Sequence, residues 1–112
     1  MSLRRAGGIA LILLAGVMAV ATCTAASCHG GAAGQAGLVL LSGQAYNNLV
    51  NVASTQDATR KRVLPGDATN SYLVIKLEGR QTVGTKMPQT GSLAANALQN
   101  IKNWVTKGAK NN

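Results

Sequence analysis

Aromatic residues are scarce in this chain. Its 112 residues include two tyrosines, one tryptophan and no phenylalanine. Apolar residues still make up 46% of the sequence, but they are aliphatic or small, and there are 13 glycines. Domains of this size bury a modest fraction of their surface and often need an additional stabilising feature, such as a disulfide or a bound metal. A large flat ligand could supply the missing bulk, and an all-aliphatic core that needs none is the alternative.

Acidic groups are equally few. Asp57, Asp67 and Glu78 are the only acids, and His29 is the only histidine. Asp67 fits a turn or a helix cap, and Asp57 lies in a polar segment. With no paired carboxylates, activated serine, phosphate loop or second histidine, the sequence has no residues for hydrolase or kinase chemistry. The sequence therefore offers no case for those two classes, and the prediction that the protein is not an enzyme at all depends on His29 and Met87, discussed below.

Positive charge is in excess. Eleven Lys and Arg residues give a formal net charge of +8, with one cluster at 60–62 and three lysines at 102, 107 and 110. A nucleic-acid-binding surface needs a basic stripe with aromatic or groove-fitting partners, and no such pattern is present. The charge either keeps the protein soluble or steers it towards an acidic partner.

The N-terminus has the layout of an export signal. A basic start (1–5) precedes an uncharged apolar run (6–21) that ends in the small-x-small pattern Ala19-Val20-Ala21. The run is short for a membrane span, which wants roughly 20 apolar residues, although the lower limit of about 17 is within reach. We expect a protein exported to the periplasm, in which residues 1–22 form a signal peptide or a retained inner-membrane anchor. Cleavage after Ala21 would leave Thr22 as the only residue before Cys23. Lipidation at Cys23 is a third possibility, which Thr22 fits poorly.

Both cysteines and the histidine lie in one stretch, Cys23-Thr24-Ala25-Ala26-Ser27-Cys28-His29. Two thiols beside a histidine suit covalent haem attachment, in which the sulfurs bond the vinyl groups and the imidazole ligates the iron. The usual spacing has two residues between the cysteines, and here there are four. A Cys23–Cys28 disulfide is the alternative, and zinc is less favoured because only three good donors are present.

Two short helices are predicted before residue 80. The spacing of Tyr46, Leu49 and Val52 predicts one over 44–52, followed by an exposed polar loop over 54–61. Pro65-Gly66-Asp67 predicts a turn after extended residues 63–64. A second helix over roughly 71–78 follows, capped by Asp67 or Asn70 and stopped by Gly79.

The closing segment predicts the longest helix. Ser92 is the expected N-cap, and apolar residues at 93, 97, 98, 101, 104 and 105 share one face. Lys107 and Gly108 complete its C-terminus, and we expect the polar tail after them to be frayed and free of contacts. Residues 23–112, which contain these three helices, are expected to form one small domain.

Met87 is the candidate for a second iron ligand. It precedes Pro88 in a loop flanked by Gly84 and Gly91, away from any helical stripe, and outside the signal segment it is the only thioether. The default interpretation of a methionine is a core residue. If His29 and Met87 both ligate the iron, the filled sixth position disfavours oxygen chemistry and points to electron transfer.

These motifs occur in a familiar order. CxxxxCHGG is followed by AYNNLVNV, RVLPGDATNSYLVIKLEG, GTKMP and a helix containing NWVTKGA. Over about residues 23–109 the chain resembles the monohaem class I c-type cytochromes, in particular bacterial haem domains with a PGD segment before a Met-Pro loop. The resemblance implies an all-α cytochrome c-like fold of short helices and loops wrapped around one haem c.

The resemblance also implies roles for particular residues. Cys23 and Cys28 would form the thioethers, and His29 and Met87 would be the iron ligands. Arg62 and Tyr72 are candidates for contacts to the haem propionates. The implied partners are redox proteins that dock an acidic face on the basic rim.

Two features depart from the family pattern. The cysteine spacing is wider, and the only segment available for the usual helix before the first cysteine is 9–22, which signal cleavage would remove. Two other functions remain as alternatives to electron transfer. One is a secreted binding or structural module with a Cys23–Cys28 disulfide, and the other is a haem sensor or peroxidase with a labile Met87.

Overall fold

The computed structural model describes residues 28–30, 34–41, 43–89 and 93–111. In these ranges the helices are α1 (Ala45–Leu49), α2 (Tyr72–Glu78) and α3 (Ala95–Thr106), and Gln35–Gly37 form a 3₁₀ turn. This part of the chain contains no strand, and its extended segments meet only in two isolated β-bridges, Val50 with Val63 and Ala53 with Lys61. The predicted all-α class agrees with this helical architecture.

Several predictions concern residues outside the described ranges: the signal segment 1–22, Cys23 and the rest of the cysteine loop to Ser27, and Ser92. Among the helices that are described, none is long and apolar enough to cross a membrane.

Helix α1 is shorter than predicted, ending at Leu49 instead of Val52. Val50 turns to extended geometry, and Asn51 adopts a positive φ of 62°. The Val63 N–H donates to the Leu49 carbonyl (3.0 Å), and the Asn51 N–H donates to the Val63 carbonyl (2.9 Å). Pairing with the segment around Val63 therefore replaces the last turn of the predicted helix.

The turn before α2 is present, but the predicted cap is wrong. The Asp67 carboxylate accepts hydrogen bonds from the backbone N–H and the side-chain amide of Asn70, so it closes the turn instead of capping the helix. Helix α2 begins at Tyr72 with no side-chain cap. The fully buried Ser71 joins turn to helix: its Oγ accepts from the Leu64 N–H and donates to the Asp67 carbonyl, each at 2.8 Å.

Helices α2 and α3 pack against each other. Lys102 Nζ on α3 lies 2.9 Å from Glu78 Oε2 on α2. As predicted, α2 ends at Gly79, which has a left-handed φ of 76° that few L residues adopt. The largest fully buried side chains in the described part are Leu49, Val63, Ser71, Val74, Ile101 and Val105.

Both ends of α3 differ from expectation. Ala94, not Ser92, precedes the first helical residue, and it makes no side-chain cap. The segment after Gly108 is not a free polar tail. Ala109 is 1% exposed, and the Lys110 carbonyl accepts a hydrogen bond from Trp104 Nε1 at 2.9 Å. The chain therefore folds back over the C-terminus of the helix.

The polar loop predicted over 54–61 is anchored at its start. Ser54 is 5% exposed, and its Oγ accepts hydrogen bonds from the backbone N–H groups of Gln56 (3.1 Å) and Asp57 (3.3 Å). The expectation of full exposure is wrong at this residue because the turn uses its hydroxyl.

Candidate functional site

His29 is held by a segment that folds back over it. The Leu40 N–H donates to the His29 carbonyl at 2.8 Å, and His29 Nδ1 lies 2.8 Å from the Leu38 carbonyl. A carbonyl oxygen only accepts, so Nδ1 carries the proton in this hydrogen bond. In the neutral imidazole Nε2 then keeps its lone pair. A backbone carbonyl on the second nitrogen is the usual support of a metal-ligating histidine.

Met87 is fixed through its backbone. Its N–H donates at 3.0 Å to the carbonyl of Lys76, near the C-terminus of α2, where helical carbonyls lack intrahelical partners. The half-buried side chain packs against the core cluster. The loop is thereby tied to α2 at the residue that carries the thioether.

His29 and Met87 line the same cavity, which has a volume of about 550 Å³. This lies within the ~300–1,000 Å³ typical of small-molecule and cofactor sites. Cys28 also lines it, as do Arg62 and Tyr72. Every predicted site residue in the described ranges therefore faces one cavity, and the sixth, Cys23, lies outside those ranges.

Much of the cavity wall is apolar. It includes the side chains of Leu38, Leu40, Leu49, Leu73, Leu77, Met87 and Pro88. A wall of this kind suits a ligand with a large apolar surface and shields that surface from water. Tyr72 is the only aromatic residue among the described residues that line the cavity.

Arg62 lies at the edge of this wall. Its guanidinium donates to the backbone carbonyls of Asn48 (2.8 Å) and Ala36 (3.2 Å). Desolvation lowers its pKa from the ordinary value. No carboxylate neutralises this cation in the described part of the chain. The basic cluster 60–62 is therefore divided, because Arg60 pairs with Asp57 while Arg62 lies at the cavity.

Tyr72 begins α2 and is 7% exposed. Its hydroxyl oxygen is buried, and no protein group in the described part of the chain forms a hydrogen bond with it. A buried hydroxyl without a partner costs free energy, roughly 1–3 kcal/mol in protein mutational data. A ligand that brings a hydrogen-bonding group to this side of the cavity would remove that cost.

Two further lining residues, Lys76 and Gln56, were not predicted as site residues. Lys76 follows Tyr72 by one helical turn and is only 8% exposed, and its Nζ donates to Gln56 Oε1 at 3.0 Å. Desolvation lowers the pKa of this ammonium group. The available signal was the place of Lys76 on the helix face that also carries Tyr72, Leu73 and Leu77.

The cavity lining contains two cations and no acid. The three acids are engaged elsewhere. Asp57 pairs with Arg60, Asp67 binds Asn70, and Glu78 pairs with Arg80 and Lys102. Hydrogen bonds from Lys102 and Arg80 lower the pKa of Glu78. The charge of the cavity thus favours a ligand that brings negative groups.

The donors that line the cavity are of the kind that a haem iron could use. Among the described residues, no group of three or more His, Cys, Asp or Glu side chains could hold a metal ion. Haem needs only two axial donors from the protein, and His29 and Met87 line one cavity with Cys28, the thiol next to the histidine. The unpartnered Tyr72 hydroxyl and the unneutralised Arg62 match the carboxylates that haem carries. The residues present therefore fit this group.

Comparison with known proteins gives no family for this chain. No protein-family model, no curated protein and no solved structure matches it. The function is therefore argued from the chain's own residues.

Proposed function

We propose that the protein is an exported monohaem c-type cytochrome that carries single electrons between redox partners. One observation carries the proposal: His29, oriented by the Leu38 carbonyl, lines the same mostly apolar cavity as Met87. Covalent haem would be held by thioethers at Cys23 and Cys28.

Each axial residue has a distinct role. The Nδ1–H of His29, bonded to the Leu38 carbonyl, fixes the ring and makes Nε2 a better donor. As an iron ligand, the Met87 thioether would favour the reduced state and raise the potential of the couple. Haem held by both residues would supply a one-electron iron centre and would leave no position on it for a substrate.

The remaining lining residues would shield the haem from water and bind its carboxylates. Leucine side chains exclude water from the macrocycle, while Arg62 and Tyr72 offer donors to its carboxylates. Because apolar burial and axial ligation together set the potential, the protein's task is to tune the centre and prevent side reactions.

The outer surface favours docking to an acidic partner. Lys61, Lys86 and Lys110 are exposed, and none of them forms an ion pair within the described ranges. Such charges raise association rates with an acidic face, and salt screens the effect. Partner, periplasmic location and membrane anchoring through 6–22 belong to this proposal.

The assignment of Met87 as the second iron ligand is tested by the variant Met87→Ala. Haem should stay covalently attached, while the potential falls and the weak Met–Fe(III) charge-transfer band disappears. Val83→Ala is the matched control, because Val83 lies on the same loop with 46% exposure and should leave both unchanged. An unchanged spectrum in Met87→Ala would refute the assignment. Carbon monoxide binding to the reduced wild-type protein would favour a sensor or peroxidase with a labile Met87.

A further inference from the structure

Lys76 is a buried cation without a charged partner in the described part of the chain. It is 8% exposed, and its ammonium group meets only the neutral amide oxygen of Gln56 at 3.0 Å. A buried charge is costly unless it is paired and hydrogen-bonded. The lysine stem alone could be buried with its head in water, as commonly happens. Here the head lies at the cavity wall, where it donates a hydrogen bond to Gln56.

The position of the ammonium group is set from two sides. Gln56 approaches from the turn that Ser54 anchors, and Gly84 covers the pair from the loop before Met87. A Cβ at Gly84 would lie 2.8 Å from Gln56 Nε2 and 3.1 Å from Lys76 Nζ. The φ of +74° favours glycine at this position, and the short distances show how closely the loop backbone approaches the ends of both side chains. Lys76 and Gln56 therefore occupy a built pocket in the cavity wall.

We propose that Lys76 is a positioning residue that binds one carboxylate of the ligand in this cavity, while Arg62 and Tyr72 bind the other. The inference rests on the proposed function, and it assigns the two haem propionates to two separate cationic positions. It explains why a cavity lined by two cations contains no acid. It also accounts for Gln56, which holds the ammonium group without neutralising it.

A charge-paired carboxylate has a consequence for the redox equilibrium. Loss of Lys76 would leave a negative group beside the haem, which favours the oxidised state. We expect Lys76→Gln to shift the reduction equilibrium about tenfold towards oxidation, or about 59 mV for one electron. Lys76→Arg keeps the charge and should stay within about twofold of wild type.

Lys107→Gln is the matched control. It removes the same charge from an exposed position outside the cavity lining and should shift the equilibrium less than about twofold. The Met–Fe(III) band should persist in all three variants, which shows that axial ligation is intact. A Lys76→Gln protein whose potential equals that of Lys107→Gln would refute the inference.

A second measurement needs no variant. In redox-difference infrared spectra of the wild-type protein with isotope-labelled haem carboxylates, neither labelled band should lie at the position of a water-exposed carboxylate. A band at that position would show a solvated propionate and overturn the inference even if Lys76→Gln does not fold. Purified wild-type protein without any haem would instead refute the proposed function, and this inference with it.

Discussion

Replacement of Ser71 by alanine tests how the turn at 65–67 is joined to α2. The side chain is fully buried. Its hydroxyl accepts a hydrogen bond from the Leu64 N–H and donates one to the Asp67 carbonyl, both at 2.8 Å. Alanine fits the space of serine, so the change removes polar interactions without overpacking. Because Tyr72 follows directly, the same joint positions the first cavity-lining residue of α2.

The expected cost follows from these two hydrogen bonds. Each contributes about 1 kcal/mol net, and leaving the Leu64 donor unsatisfied adds a desolvation penalty, for a total of about 2–3 kcal/mol. With a urea m-value of roughly 2 kcal/mol/M, the unfolding midpoint should fall by about 1 M or more. Equilibrium urea unfolding followed by circular dichroism measures this shift.

Thr69→Ala is the control for Ser71→Ala. Thr69 lies in the same turn but is exposed, and loss of its hydroxyl should change stability by less than about 0.5 kcal/mol. If Ser71→Ala is as mild as Thr69→Ala, the hydroxyl does not join the turn to the helix. A reduced midpoint with an unchanged m-value is the result that supports the reasoning.

Two other variants probe α2 and its end. Glu78 has a pKa below its ordinary value of 4.5 because Lys102 and Arg80 hydrogen-bond its carboxylate. A lowered folded-state pKa stabilises the fold above about pH 4.5, and this stabilisation is lost as pH falls through the folded-state value. Wild type should therefore exceed Glu78→Gln in stability at neutral pH and converge with it in acid, and a constant difference in urea titrations would contradict this. Gly79→Ala forces a Cβ into a φ of 76° and to within 3.1 Å of the Lys86 stem, at a cost of about 1–2 kcal/mol. A thermal midpoint equal to that of wild type would refute the strain.

Local patterns predicted the positions of the helices but not all of their ends. Gly79 was recognised as the stop of α2, and in the structure it adopts the left-handed conformation that glycine tolerates. The end of α1 was missed because Val50 and Asn51 pair with Val63, a residue distant in sequence. The cap of α2 was missed because Asp67 and Asn70 bond each other, while Ser71 holds the turn.

The sequence singled out the cavity-lining residues that belong to recognisable motifs. The CHGG motif and the Met-Pro loop singled out His29 and Met87, and the structure places both at one cavity. Lys76 lies in the quoted PGD segment but was given no role there, and Gln56 belongs to no motif, since a lysine on a helix and a glutamine in a polar loop are ordinarily solvated. Their proximity depends on the turn at Ser54 and the approach of Gly84, which no local pattern specifies.

The central claim is that one haem is bound covalently in the cavity between His29 and Met87. A pyridine haemochrome spectrum of the purified, exported protein tests this most directly. One haem c per chain, retained after denaturation, with both vinyl groups converted to thioethers, is the predicted result. A protein without haem, whose intact mass shows a Cys23–Cys28 disulfide, would contradict the account.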